Sequence, residues 1–378
     1  MPRDRIVGVD AARAVAIVGM VATHILPVDT VDGTPTLVGL LFDGRASALF
    51  AVLAGAGLAL STGGPQRLRT GREHAAAGAG IAVRAILIAL IGLALADLDP
   101  VPLVILTYYG LLFLVAIPLV RLPASVLAAA AVVWCGLSPV LSILLRDGVR
   151  YPTQVGTAAL VDPLALLWTL GVTGVYPVLT WTTYLLAGLA IGRLDLRSTR
   201  VAAFLLAGGA ALSATAAGLS ALLLWPGGGA VALGGGALDR RFYGTTPTST
   251  WWWLAIDAPH SGAPLDLAGT TGSALAVIGL MLLLARAARP LLWLPAAIGA
   301  APLSLYAFHV VLTTADVGTA ADRPAVFIGH VVLLSVAGVA LRGLGARGPL
   351  EAAVGMASRS ARKLVLGAGH PAAGGSGE

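Results

Sequence analysis

The sequence predicts an all-α, polytopic integral membrane helical bundle of about ten transmembrane helices with both termini cytoplasmic. Three observations predict it. Hydrophobic residues make up 57% of the chain and charged residues 11%, where a globular domain carries about 25% charged residues. Apolar runs of about 17–25 residues, long enough to cross a bilayer, recur along the chain. The basic residues between those runs gather on alternate loops, the bias that marks cytoplasmic loops.

The runs lie near 11–28, 46–62, 75–96, 101–120, 124–145, 170–192, 199–224, 266–285, 293–315 and 324–341. The first follows the charged start Met1–Arg5, which imitates a signal peptide. Asp10 and Arg13 interrupt it, and no convincing small-residue cleavage site follows, so it reads as a retained span. The second is short; it could begin at Leu37, with a break around Asp43-Gly44-Arg45. Residues 163–172 could form a separate interfacial segment before the sixth span. Of the 24 Lys and Arg residues, Arg45, Arg146, Arg150, Arg240, Arg241 and Arg323 fall on the outer side and Arg84 within the third span. The rest fall inside, which fits an even number of spans in a multi-pass plasma-membrane protein.

Residues 1–366 read as one transmembrane domain with a long outer loop at 225–265, and 367–378 as a disordered tail. In the outer loop, Gly227–Gly229 and Gly234–Gly236 predict flexibility. Trp251-Trp252-Trp253 then reads either as a headgroup anchor or, with Trp252 at its centre, as a platform for a sugar ring or lipid. The bilayer is the one partner that composition implies; homo-oligomers remain open. A net charge of +6 spread over short loops does not indicate nucleic-acid binding. The single Cys135 allows no intrachain disulfide. No Walker loop, Gly-x-Ser-x-Gly elbow or Cys-x-x-Cys pair occurs.

The chemistry concentrates in the first span, which holds Asp10, Arg13 and His24. Eleven steps of about 100° return His24 to within about 20° of Arg13, roughly 16 Å along the axis. Asp10 and Arg13 are neighbours on one turn. Ionisable residues at membrane depth point to function by default; an interfacial pair with snorkelling side chains is the plainer alternative. His24, His260 and His309 fall at similar predicted depth on the outer side and could surround one cavity. Histidine serves there as acid, base or metal ligand. Without a paired spacing such as His-x-x-x-His, no metal is expected. His330 reads as a packed helix residue. Arg84 either snorkels inward or, with Arg13, faces a phosphate arriving from inside. Arg45 either pairs with Asp43 or reaches the cavity. Tyr108 and Tyr109 either donate hydrogen bonds into the bundle or belong to the interfacial belt.

Several blocks resemble a known family. They are Arg5-x-x-Gly8-x-Asp10-x-x-Arg13 with His24, and Asp43-Gly44-Arg45-x-Ser47. Tyr108-Tyr109-Gly110, Tyr176-Pro177 and Gly192-Arg193-Leu194 follow, then Pro259-His260-Ser261-Gly262, Leu303-Ser304-Leu305-Tyr306-x-x-His309 and Gly348-Pro349-Leu350-Glu351. Their order resembles the heparan-α-glucosaminide N-acetyltransferase-like, YeiB-type membrane proteins. The Arg13-to-His24 spacing is also similar to that of the acyltransferase-3 membrane enzymes. One departure is Ala14, where typical members carry glycine. The resemblance implies a transmembrane acyltransferase that takes an acyl group, acetyl by expectation, from cytosolic acyl-CoA to a carbohydrate or related acceptor outside. On that reading His24 is the base, or a transient acyl carrier, with His309 and His260 orienting it or binding acceptor. Arg13, Arg84 and Asp10 serve acetyl-CoA, the expected co-substrate. Arg45, Tyr306 and Trp252 serve the acceptor. A transporter or exporter of a small metabolite, without covalent chemistry, is the alternative; the lack of an internal repeat counts against it.

Overall fold

The computed structural model describes residues 5–68, 70–149, 153–236, 238–315, 319 and 321–367. The described residues are helical, with turns and one isolated bridge between Asp29 and Pro35. Seven helices are long and apolar enough to cross a membrane, or nine if two bent pairs each count as one span. The chain is therefore a multi-pass membrane protein, with fewer qualifying spans than the ten expected.

The first span is α1 (Val7–Ile25). The second does begin at Leu37: α2 (Leu37–Phe42) and α3 (Arg45–Ser61) are separated by Asp43 and by Gly44, whose φ of +68° suits a residue without a side chain. A capping box of Thr70 and Glu73 starts α4 (Gly71–Ala96). The expected span 101–120 is only 14 residues of helix, α5 (Leu106–Leu119). Pro100 and Pro102 delay its start, and Gln154 meets the backbone there by accepting from Val104 N–H and donating to the carbonyls of Pro100 and Pro102. Next comes α6 (Ala124–Leu144). Then α7 (Pro163–Trp168), prolonged by a π-turn to Thr173, bends by 61° into α8 (Val178–Gly192), so the break falls at 174–177, inside the expected span 170–192.

After α9 (Thr199–Leu224), the long loop carries further helical turns. It forms α10 (Gly229–Leu233) and a 3-10 turn over Trp251–Ala255, joined in a small apolar cluster of Leu224, Phe242 and Trp253. The remaining helices are α11 (Pro264–Ala287), α12 (Trp293–Ile298), α13 (Pro302–Leu312), α14 (Arg323–Gly343) and α15 (Pro349–Gly367). The segment Arg289–Ile298 meets α13 at 60°. The expected tail beyond Gly367 lies outside the described residues. The sequence reading missed α15, because its mixed polar and apolar residues do not read as a span.

Small residues let the helices touch backbone to backbone, as membrane packing requires. A Cβ on Gly188 would lie 2.1 Å from the Val52 carbonyl oxygen, and one on Gly55 2.7 Å from that of Leu185, so α3 and α8 are in direct contact. The same holds for α9 and α11 at Gly209 and Gly272. Arg193, at the end of α8, donates to the carbonyls of Ala59, Thr62, Gly64 and Val120 and ties the ends of α3, α5 and α8 together.

Candidate functional site

The site begins on the first turn of α1. Asp10 accepts hydrogen bonds from Arg5 Nε (2.9 Å) and Nη2 (3.1 Å) and from Arg13 Nη1 (2.8 Å). Its position near the helix N-terminus suits an anion, and the three-residue spacing to Arg13 puts both on one face. Arg5 also donates to the Ala300 carbonyl at 3.1 Å. That carbonyl lies in the break between α12 and α13, which approaches α1 very closely. A Cβ on Gly299 would sit 1.7 Å from Asp10 O and 3.0 Å from Ala14 N. The close approach that glycine at position 14 would permit is here supplied by Gly299 across the interface.

These residues open onto a cavity of about 810 Å³ at the arginine-rich end of the bundle. Arg5, Arg13, Arg84, Arg342, Arg347 and Arg359 line it, against two carboxylates, Asp10 and Glu351. Both carboxylates are already engaged. Asp10 holds two arginines. Glu351 caps the start of α13, accepting from Leu303 N–H (2.6 Å), Ser304 N–H (3.1 Å) and Ser304 Oγ (2.5 Å). Among the described residues Arg84, Arg342, Arg347 and Arg359 have no ion pair. Arg84 instead lies over the Phe113 ring, 5.6 Å from its centroid, and Arg342 over Trp293 at 5.5 Å. The cavity thus presents a surplus of positive charge with planar donors, suited to phosphate.

Its inner wall is apolar and aromatic: Phe50, Leu53, Leu106 and Tyr109. Phe50 stacks on Tyr109 (5.6 Å) and on Tyr306 (6.1 Å). The buried Tyr109 hydroxyl has no hydrogen-bond partner among the described residues.

His24 is not part of this lining. It ends α1, with Nδ1 3.0 Å from His309 Nε2, and His309 Nδ1 is in turn 3.0 Å from Nδ1 of His330. The expected cavity running from Arg13 to His24 is narrower in its lining: Arg13 borders it and His24 does not, while Phe50 and Tyr109 stand on its apolar wall. His260 lies close enough for its charge to act on His24, but its side-chain partner is a different one. It pairs with Asp43 at 3.5 Å and lines a separate void of about 10 Å³ with Trp181, Tyr184 and Asp266, room for one water molecule. Burial works against a charge on His260, but the hydrogen bond and charge of Asp43 outweigh it, so its pKa is raised. Among the described residues no group of three His, Cys, Asp or Glu is arranged to hold a metal.

The three residues expected at the acceptor each have their own surroundings. Arg45 is half-buried at the start of α3, and Asp43 pairs with His260 rather than with it. Tyr306 is buried, its hydroxyl accepting from Ile105 N–H at 3.3 Å. Trp252 packs in the apolar cluster of the long loop, against Gly229. Tyr108 and Tyr109 are buried in the bundle rather than placed in a belt. Sequence reasoning missed Arg342, Arg347, Arg359, Glu351 and His330 as neighbours of the site. Glu351 alone had a signal, the Gly348–Glu351 block.

The blocks also meet in pairs. The Gly348–Glu351 block docks on Leu303-Ser304, Asp43-Gly44 on Pro259-His260, and Tyr108 on Tyr176, at 5.4 Å between ring centroids. A comparison with curated proteins finds none that matches the chain. The family profile described as heparan-alpha-glucosaminide N-acetyltransferase, catalytic, matches residues 5–226, which carry Asp10, Arg13, His24 and Arg84; His309 and His330 lie beyond the match. By that match, over more than half its length, the chain belongs to the heparan-α-glucosaminide N-acetyltransferase family.

Proposed function

We propose that the protein is an acyl-CoA-dependent acyltransferase of the plasma membrane, moving an acetyl group from cytosolic acetyl-CoA to a carbohydrate or related acceptor on the extracytoplasmic side. The observation that carries this reading is the cavity with six arginines and no unengaged carboxylate. Its volume falls in the range of ligand sites, about 300–1,000 Å³. Its charge matches the phosphates of a CoA nucleotide. The concentration of basic residues at that end fits a cytoplasmic orientation. Asp10 holds Arg5 and Arg13 in place; Arg84 and Arg342 approach the phosphates from α4 and α14.

The acyl arm then points toward Phe50 and Tyr109. Transfer needs a base for the acceptor proton and a donor for the developing oxyanion. His24 is the base. Tyr109, with its unused hydroxyl, is the donor nearest the thioester end of the cavity. The wall of Phe50 keeps water from the thioester until the arm passes it.

The test is thiol release and acceptor modification by purified protein in liposomes, supplied with acetyl-CoA and a set of amino sugars and polyols. Acceptor-dependent release of CoA, lost in His24→Ala while acetyl-CoA binding survives, supports the reading. Accumulation of a substrate without CoA release supports transport instead and overturns it.

A further inference from the structure

The histidines form a row. His24 Nδ1 meets His309 Nε2, and His309 Nδ1 meets His330 Nδ1, each at 3.0 Å. The rings of His24 and His309 are almost parallel (6°), whereas His330 stands at 76° to His309. His309 is 1% exposed, so the middle ring is sealed and both its nitrogens are committed to other imidazoles. His330 retains 8% of its surface.

A neutral imidazole has one N–H donor and one acceptor nitrogen. The two bonds therefore cannot be set separately. If His309 accepts from His24 it donates to His330, and if it accepts from His330 it donates to His24. In the first state His24 Nε2 carries a lone pair; in the second it carries a proton. One shift of protons along the row interconverts the two. A single backbone carbonyl would satisfy a buried His309 donor more simply, so the third histidine calls for another explanation.

We propose that His309 and His330 are a proton relay for His24, letting it act first as base and then as acid without holding a charge inside the membrane; this rests on the acyltransferase reading. The acceptor hydroxyl or amine attacks the thioester carbonyl carbon and gives its proton to His24 Nε2. His24 passes its Nδ1 proton to His309 Nε2. His309 passes its Nδ1 proton to His330 Nδ1, and His330 releases its Nε2 proton to water. The tetrahedral intermediate then collapses, the C–S bond breaks, and the sulfur takes the proton from His24 Nε2. One proton returns from water along the row and restores His24 Nδ1–H. The sum is acceptor plus acyl-CoA giving acylated acceptor plus CoA thiol, with no net proton released. Each ring stays neutral, avoiding the cost of an isolated charge in a low-dielectric interior. His309 and His330 touch no substrate and are positioning residues.

The experiment compares wild type, His330→Asn and His330→Ala in liposomes, with ¹⁵N-histidine spectra of the same full-length proteins. Asn can still accept from His309 Nδ1–H, but it cannot pass a proton on. The wild type is expected to show N–H···N scalar coupling across both contacts with no substrate present. Both variants are expected to lose about a hundredfold in kcat with KM for acetyl-CoA unchanged, and added imidazole should restore His330→Ala. Wild-type kcat in either variant, rescue by Asn but not by imidazole, or absent coupling each overturns the relay while the acyltransferase reading stands. A wild type that shows the couplings but transfers nothing overturns that reading and, with it, the relay.

Discussion

Replacing Arg84 by Gln removes one of six guanidinium groups from the cavity and breaks no ion pair. The side chain is exposed to the cavity and rests on Phe113 at 5.6 Å. The fold should therefore lose only that cation–π contact, about 0.5–1 kcal/mol. Binding should lose more. A hydrogen bond to a charged group contributes about 1.5–3 kcal/mol, and about 1.4 kcal/mol is a factor of ten in affinity. Arg84→Gln should then raise the Kd for CoA about tenfold to a hundredfold with little change in Tm. The assay is isothermal titration in nanodiscs at low and at physiological salt, with Arg121→Gln as control, since Arg121 is exposed and outside the cavity. An unchanged Kd in Arg84→Gln, or an equal loss in Arg121→Gln, would refute the assignment of the cavity to a nucleotide phosphate.

Asp10→Asn leaves Arg5 and Arg13 without their shared anion. Breaking a buried pair from one side costs about 3–5 kcal/mol; with side chains 33% and 21% exposed, the two arginines keep some solvation, so the low end is expected as a fall in Tm, partly recovered by saturating CoA. Gly299→Ala should separate α1 from α12 and abolish CoA binding, because the new Cβ would lie 1.7 Å from Asp10 O; titration of the folded fraction checks this. Phe50→Ala removes an aromatic ring from the apolar wall of the cavity and admits water there, so acceptor-independent hydrolysis of acetyl-CoA, followed as thiol release, should rise. His260 gives a pH dependence of stability. Its pKa in the fold is above the ordinary 6.5, so its pairing with Asp43 contributes fully below about pH 6.5 and is lost as pH rises through the folded value. The Tm of the wild type should fall over that window, and Asp43→Asn should remove the fall.

The spans were legible because apolar length is a local property, and so was the face shared by Asp10 and Arg13, which one helical turn sets. Even the break at Asp43-Gly44 had a sign in the sequence, a glycine beside an acid inside an apolar run. What could not be read was long-range pairing. Nothing local to His330 says that its ring reaches His309, or that Asp43 chooses His260 over Arg45. The same limit hid the arginines of α14, of α15 and of the turn between them: Arg342, Arg359 and Arg347 join Arg13 around the cavity only after the chain has crossed the bundle. Depth was also misjudged where a span is broken. The bend before α13 carries Ala300 to the level of Arg5, and the shortened α5 brings Tyr109 to the cavity wall. Both depend on proline and glycine breaks within runs that hydropathy reads as continuous.

The most direct measurement is a cryo-EM map of the protein in nanodiscs with a non-hydrolysable acetyl-CoA analogue. The account predicts nucleotide phosphates against Arg13 and Arg84, with the pantetheine arm displacing the Phe50 ring toward His24. An empty cavity at saturating analogue, or a nucleotide bound away from Arg13, would contradict it.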